Sequence, residues 1–167
     1  MSGDIADIKF ADLVGACHER GVMLVCYCKD RDPWEQARLW RRSRSPVEVA
    51  EALRHLKDSG APFLAACLDE VGPQRTGPRV TGALPGLSWH QWGQAADFCP
   101  VGPDGEFLWE DAVGFQILAE EAKRVGLFSG AFWHFPDRPH VQLQAANPSQ
   151  IYSLSDIDAQ MRSRYGM

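Results

Sequence analysis

Two proline-marked helix starts, Asp32-Pro33-Trp34-Glu35 and Ser45-Pro46-Val47-Glu48, constrain this chain more than any other feature. In each, a residue able to cap a helix precedes proline, and glutamate follows three positions after the cap. Proline in the first helical turn loses no hydrogen bond there, and the cap and the glutamate satisfy each other's backbone N–H groups. These signals predict a helix through about Arg42 and a second ending near Ser59-Gly60. A third, short helix is expected over Pro62 to Leu68.

The flanking pattern is mixed. Ile5, Ile8, Leu13, Val14 and Cys17 recur at helical spacing, with Gly21 as the stop. Val22 to Cys28 is short, continuous and apolar, and predicts a buried strand. Gly72 to Gly86 reads as a loop. Further strands are expected at Ala95 to Phe98 and His140 to Leu143, with a hairpin turn at Pro103-Asp104-Gly105. Asp111 to Val125 predicts a helix with Val113, Ile117, Leu118, Ala122 and Val125 on its apolar face, and Ser155 to Arg164 a last amphipathic one. Helices and short strands alternate without regular βαβ order, so the expected class is α+β, a small antiparallel sheet flanked by helices. A length of 167 residues suits one domain, 1–167, with a core over about 22–143 and a helical C-terminal extension over about 148–167.

Composition removes several function classes. No apolar run approaches the roughly 20 residues of a membrane helix, so no membrane insertion is expected. A net charge of −5 argues against nucleic acid as partner. The local cluster Arg38, Arg41, Arg42 and Arg44 reads mainly as a solvated helix face. Five cysteines, an odd number without CxxC spacing, argue against a disulfide framework, and Cys26 and Cys28 read as small hydrophobes in a strand. The N-terminus is acidic and has no apolar signal core, which predicts synthesis in the cytoplasm without a signal peptide.

The histidines point to chemistry. His18 and His55 sit among charged residues on expected helices and read as surface positions. His90, in Ser88-Trp89-His90-Gln91-Trp92-Gly93-Gln94-Ala95-Ala96-Asp97, lies on a loop seven residues before the strand carboxylate of Asp97. Imidazole and carboxylate converging in this way suit a zinc ion, although such a pair also recurs by chance. In Trp133-His134-Phe135-Pro136-Asp137-Arg138-Pro139-His140, two prolines restrict the chain around Asp137. Aromatic and proline neighbours would desolvate this carboxyl and raise its pKa toward that of a general base. An Asx-turn role for Asp137 and a satisfied strand histidine at His140 are the plainer alternatives.

Ser88, His90, Gly93, Ala95 and Asp97, followed by Phe135, Asp137, Pro139 and His140, resemble the two signatures of a zinc peptidase family. That family contains D-alanyl-D-alanine carboxypeptidases and dipeptidases, and L-alanyl-D-glutamate endopeptidases that include phage endolysins. A weaker upstream likeness to the endolysin branch covers Arg31, Glu35, Gln36, Leu39, Trp40, Arg44 and Ser45. The resemblance implies a Hedgehog/DD-peptidase-like fold and one Zn2+ per chain, held by His90, Asp97 and His140. It implies Asp137 as the catalytic base and Arg31 as the group polarising the scissile carbonyl. Gln36, Arg44 and Ser88 would bind substrate, with Trp89 and His134 packed behind the ligands. The implied partner is the peptidoglycan stem peptide, cut by a monomer that reaches the wall after holin-type release. A D,D-carboxypeptidase or dipeptidase, and a non-catalytic zinc-containing wall-binding or phage structural module, are the alternatives. Tyr27-Cys28-Lys29-Asp30 departs from the Ser-Gly-Tyr usual before the arginine, Ala131-Phe132 departs from Asp-Trp, and residues 46–78 exceed the short endolysin pattern.

Overall fold

The computed structural model describes residues 2–74 and 77–166. In chain order its elements are α1 (Ser2–Glu19), β1 (Met23–Cys28), α2 (Pro33–Arg41), α3 (Pro46–Asp58), α4 (Pro62–Glu70), β2 (Ala95–Val101), α5 (Ala112–Arg124), β3 (Phe128–Ser129), β4 (His140–Gln142), α6 (Pro148–Ile151) and α7 (Leu154–Tyr165). Short 3₁₀ turns lie at Trp89–Trp92 and Gly130–Phe132. The described residues thus form an α+β chain with seven helices and one antiparallel sheet of order β1-β2-β4-β3. Among the described residues, no helix is long and apolar enough to cross a membrane.

The chain groups into two compact units, each discontinuous in sequence. The first, Met1–Asp30 with Trp92–Ala145, contains the sheet, α1 and α5. Strand alternation puts Ala96 and Phe98 of β2 and Val141 of β4 on one face, where Phe10 and Leu13 of α1 and Phe115, Leu118 and Ala122 of α5 complete a buried core. Asp97 and His140, at the intervening positions, occupy the opposite face. Glu121 of α5 is also buried and pairs with Arg20 at 3.0 Å.

The second unit, Arg31–Gln91 with Ala146–Met167, is helical. Both expected capping boxes form: Asp32 accepts from the Glu35 N–H at 2.8 Å, and Glu48 accepts from the Ser45 N–H at 2.8 Å. The α4 helix has proline at its start but alanine at the cap position. Buried Asp158 of α7 supplies the missing acceptor, taking the Leu64 N–H at 2.8 Å. Gly86, at φ 81°, passes so close to α7 that a Cβ there would lie 2.7 Å from Ile157 Cγ2.

Four local expectations need correction. Among the described residues, β1 is an edge strand with a neighbour on one side only, and Met23, Val25 and Tyr27 are exposed instead of buried. Tyr27 instead meets Phe107 and Trp109 edge-on, at 6.2 and 5.3 Å between ring centroids. Cys26 of the same strand is exposed and Cys28 half-buried, so neither is a core residue. On α5, Val113 is exposed, and Phe115 and Ala119 take the core positions. The arginine cluster is not one solvated face. Arg38 is exposed, but Arg41 donates to the Leu68 carbonyl at 2.9 Å, and Arg44 lies 4.0 Å over the Trp40 ring.

Candidate metal and catalytic residues

The first unit brings Asp97 and His140 together. They are direct partners in the β2–β4 ladder, so their side chains share a face, and His140 Nδ1 lies 3.0 Å from Asp97 Oδ1. Nε2 of the same ring faces Gln142 Oε1, also at 3.0 Å. Donation from Gln142 Nε2 to the Gln144 carbonyl, at 2.6 Å, keeps the amide oxygen turned toward the histidine. Both ring nitrogens therefore face acceptors. Burial alone lowers the pKa of this imidazole, but the bond to Asp97 and its charge, then Gln142 and the charge of Asp137, outweigh it and the net direction is up.

Asp137 is fixed through its backbone. Its N–H donates to the Gly130 carbonyl at 2.9 Å, and its carbonyl accepts from the His140 N–H at 3.2 Å. Gly130 has no room for a side chain: a Cβ would lie 2.6 Å from the Asp137 carbonyl oxygen and 3.2 Å from His140 Cβ. The Asp137 residue itself is exposed, so the burial expected from its aromatic and proline neighbours is not what the fold provides. Phe135 points outward at 83% exposure, which is the physical reason. His134 is exposed too and meets Phe135; Trp133 is the ring that packs against His140, at 5.0 Å. Beside this turn, α5 and residues 131–138 border a cleft of about 590 Å³ lined by Phe115, Ala119, Phe132, Pro136 and Arg138.

The remaining expected site residues belong to the second unit. Arg31 donates to Gln36 Oε1 at 3.0 Å, and Gln91 Nε2 donates to the same oxygen at 3.2 Å. Gln36 in turn donates to the Ala83 carbonyl at 2.7 Å and to Thr81 Oγ1 at 3.3 Å. Fully buried, with both ends of its amide occupied, Gln36 positions Arg31. Arg44 donates to the Thr81 carbonyl at 2.9 Å. Ser88 Oγ accepts from the His90 N–H at 3.4 Å, at the start of the turn that carries this histidine. His90 and Trp89 are both buried, and the Trp89 indole donates to the Ala146 carbonyl at 2.8 Å.

In the first unit the donor types suit a metal ion. Two donors on one tetrahedral zinc with bonds of 2.0–2.2 Å stand about 3.3 Å apart. The 3.0 Å between His140 Nδ1 and Asp97 Oδ1 is close to that. Binding there requires the imidazole to give up a ring proton and one of its two present hydrogen bonds. Reasoning from the sequence missed Gln142 and Gly130. For Gln142 a signal existed, since strand period two puts 140 and 142 on one face. For Gly130 there was none, because its constraint comes from a turn seven residues on. Comparison with known protein families and with curated proteins finds no match to this chain.

Proposed function

We propose that this protein is a zinc-dependent peptidoglycan peptidase that hydrolyses the stem peptide at the L-alanyl-D-glutamate bond. The observation that carries the reading is the directly paired, buried Asp97 and His140. They lie in the order of the two signatures, and Asp137 is pinned three residues before His140. Asp97 and His140 would hold the ion, and His90 is the further ligand that the resemblance assigns. When bound, it supplies a Lewis acid for the scissile carbonyl and acidifies water for attack. Asp137 takes the proton of the attacking water and passes it to the leaving amine. The resemblance assigns Arg31, which Gln36 orients, to the negative charge that develops on the carbonyl oxygen, and a guanidinium is the planar donor fork such a charge needs.

The test is mass spectrometry of muropeptides incubated with the zinc-loaded protein. New L-alanine C-termini paired with D-glutamate N-termini are expected. Release of terminal D-alanine would make the enzyme a D,D-carboxypeptidase instead. Intact muropeptides with one zinc bound per chain would leave only a binding module.

A further inference from the structure

A β-bulge brings a third metal-donor side chain to the Asp97–His140 face. Along β1 the pairing runs Met23↔Val101, Leu24↔Pro100, Val25↔Cys99 and Cys26↔Phe98, then shifts so that Cys28 stands opposite Asp97. With regular pairing Tyr27 would face Asp97, and Cys28 would fall opposite Ala96 on the face that packs against the helices. The extra residue turns Cys28 over to the Asp97 side, as bulges beside functional sites do. Cys28, Asp97 and His140 consequently form one row across three adjacent strands, all within the first unit. The Cys28 Sγ lies within 4.8 Å of an Asp97 carboxylate oxygen. Sulfur and oxygen ligands on one tetrahedral zinc stand about 3.5 Å apart, a difference that side-chain rotation in two short residues can cover.

We infer that Cys28 is a metal ligand of this chain, adding a thiolate to the donors of the proposed centre. The inference rests on the metal-site reading above and goes beyond it, because thiolate is absent from the two-histidine, one-carboxylate set. The thiol proton leaves to solvent as the metal–sulfur bond forms. Two anionic donors then balance the charge of a divalent ion. A soft sulfur donor favours zinc, cobalt or cadmium over magnesium, calcium or manganese.

Cobalt(II) titration of the metal-free protein tests this, because cobalt reports its ligands optically. Wild type and Cys26→Ser are expected to show visible d–d bands and a near-ultraviolet sulfur-to-cobalt charge-transfer band. Cys28→Ser should keep the d–d bands, lose the charge-transfer band and bind cobalt about tenfold or more weaker. Circular dichroism establishes that each variant is folded. Visible bands without a charge-transfer band in wild type overturn the role of Cys28 and leave the metal site standing. A charge-transfer band that survives in Cys28→Ser means sulfur binding elsewhere and overturns it equally. No cobalt bound by wild type overturns both this inference and the metal-site reading beneath it.

Discussion

Gly130 is the residue on which the arrangement of Asp137 and His140 depends most directly. Its carbonyl takes the Asp137 N–H, and its missing side chain leaves the space that Asp137 and His140 occupy. Gly130→Ala should therefore reduce hydrolysis of purified sacculi by about tenfold or more, since small displacements of reacting groups cost rates of that order. Turnover measured beside a thermal melt checks this, and unchanged turnover would remove the turn from the catalytic account. Gln36→Glu makes a second prediction. A carboxylate cannot donate to Ala83 and Thr81 as the amide does, so the loop over 81–83 loosens while the hold on Arg31 strengthens. KM is expected to change more than zinc content, measured by steady-state kinetics and metal analysis. From the residues alone Asp97 pairs with His90, and His140 reads equally as a satisfied strand histidine; only the resemblance joins Asp97 to His140, because nothing in the sequence shows that β2 and β4 are neighbours. The exposure of Asp137 was not legible either, because apolar neighbours in sequence need not fold over a residue, and Phe135 does not.

At the scale of elements, the helices with their own caps were readable and the one capped from elsewhere was not. Asp32 and Ser45 announce α2 and α3 within four residues each. The start of α4 depends on Asp158, which is 94 residues away in sequence. Asp158→Ala is expected to cost about 1–2 kcal/mol, through a lost cap and an unpaired buried N–H. Asp158→Asn, which keeps an acceptor oxygen, should recover most of it. Urea unfolding of the two variants makes the comparison, and equal losses would show that packing, not the cap, is responsible. The strand run Val22 to Cys28 was assigned to the right element and the wrong environment. Apolar continuity does not distinguish a central strand from an edge strand whose aromatic side chain meets loop rings at the surface. The bulge opposite Asp97 left no mark in the alternation either, since Tyr27 and Cys28 both suit a strand.

For the whole molecule, the first unit buries the thiols of Cys17 and Cys99 and the second that of Cys67, and Cys17 and Cys67 are the two shifted furthest. Burial, then Glu121, pushes Cys17 up to about 11, and burial, then Glu70, pushes Cys67 up to about 12, from an ordinary 9.0. A raised folded-state pKa gives stability that is complete below pH 9 and is lost as the pH rises toward those values. The unfolded chain ionises these thiols first, and each contributes about 1 kcal/mol of destabilisation by pH 10. Urea midpoints should fall between pH 8.5 and 10, and Cys17→Ala with Cys67→Ala should flatten that slope. The α+β class was legible from the mixture of short helices and strands, whereas the division into two discontinuous units was not. Units assembled from distant stretches of chain leave no compositional boundary between them. The most direct test of the proposed chemistry is release of soluble peptide from purified sacculi, compared across three samples: the zinc-loaded protein, the same protein after chelation and zinc restoration, and Asp137→Ala. Release that stops with chelator, returns with zinc, and is absent from an Asp137→Ala protein still holding one zinc per chain is the expected result. Release that persists in the chelated protein, or in zinc-loaded Asp137→Ala, would contradict the account.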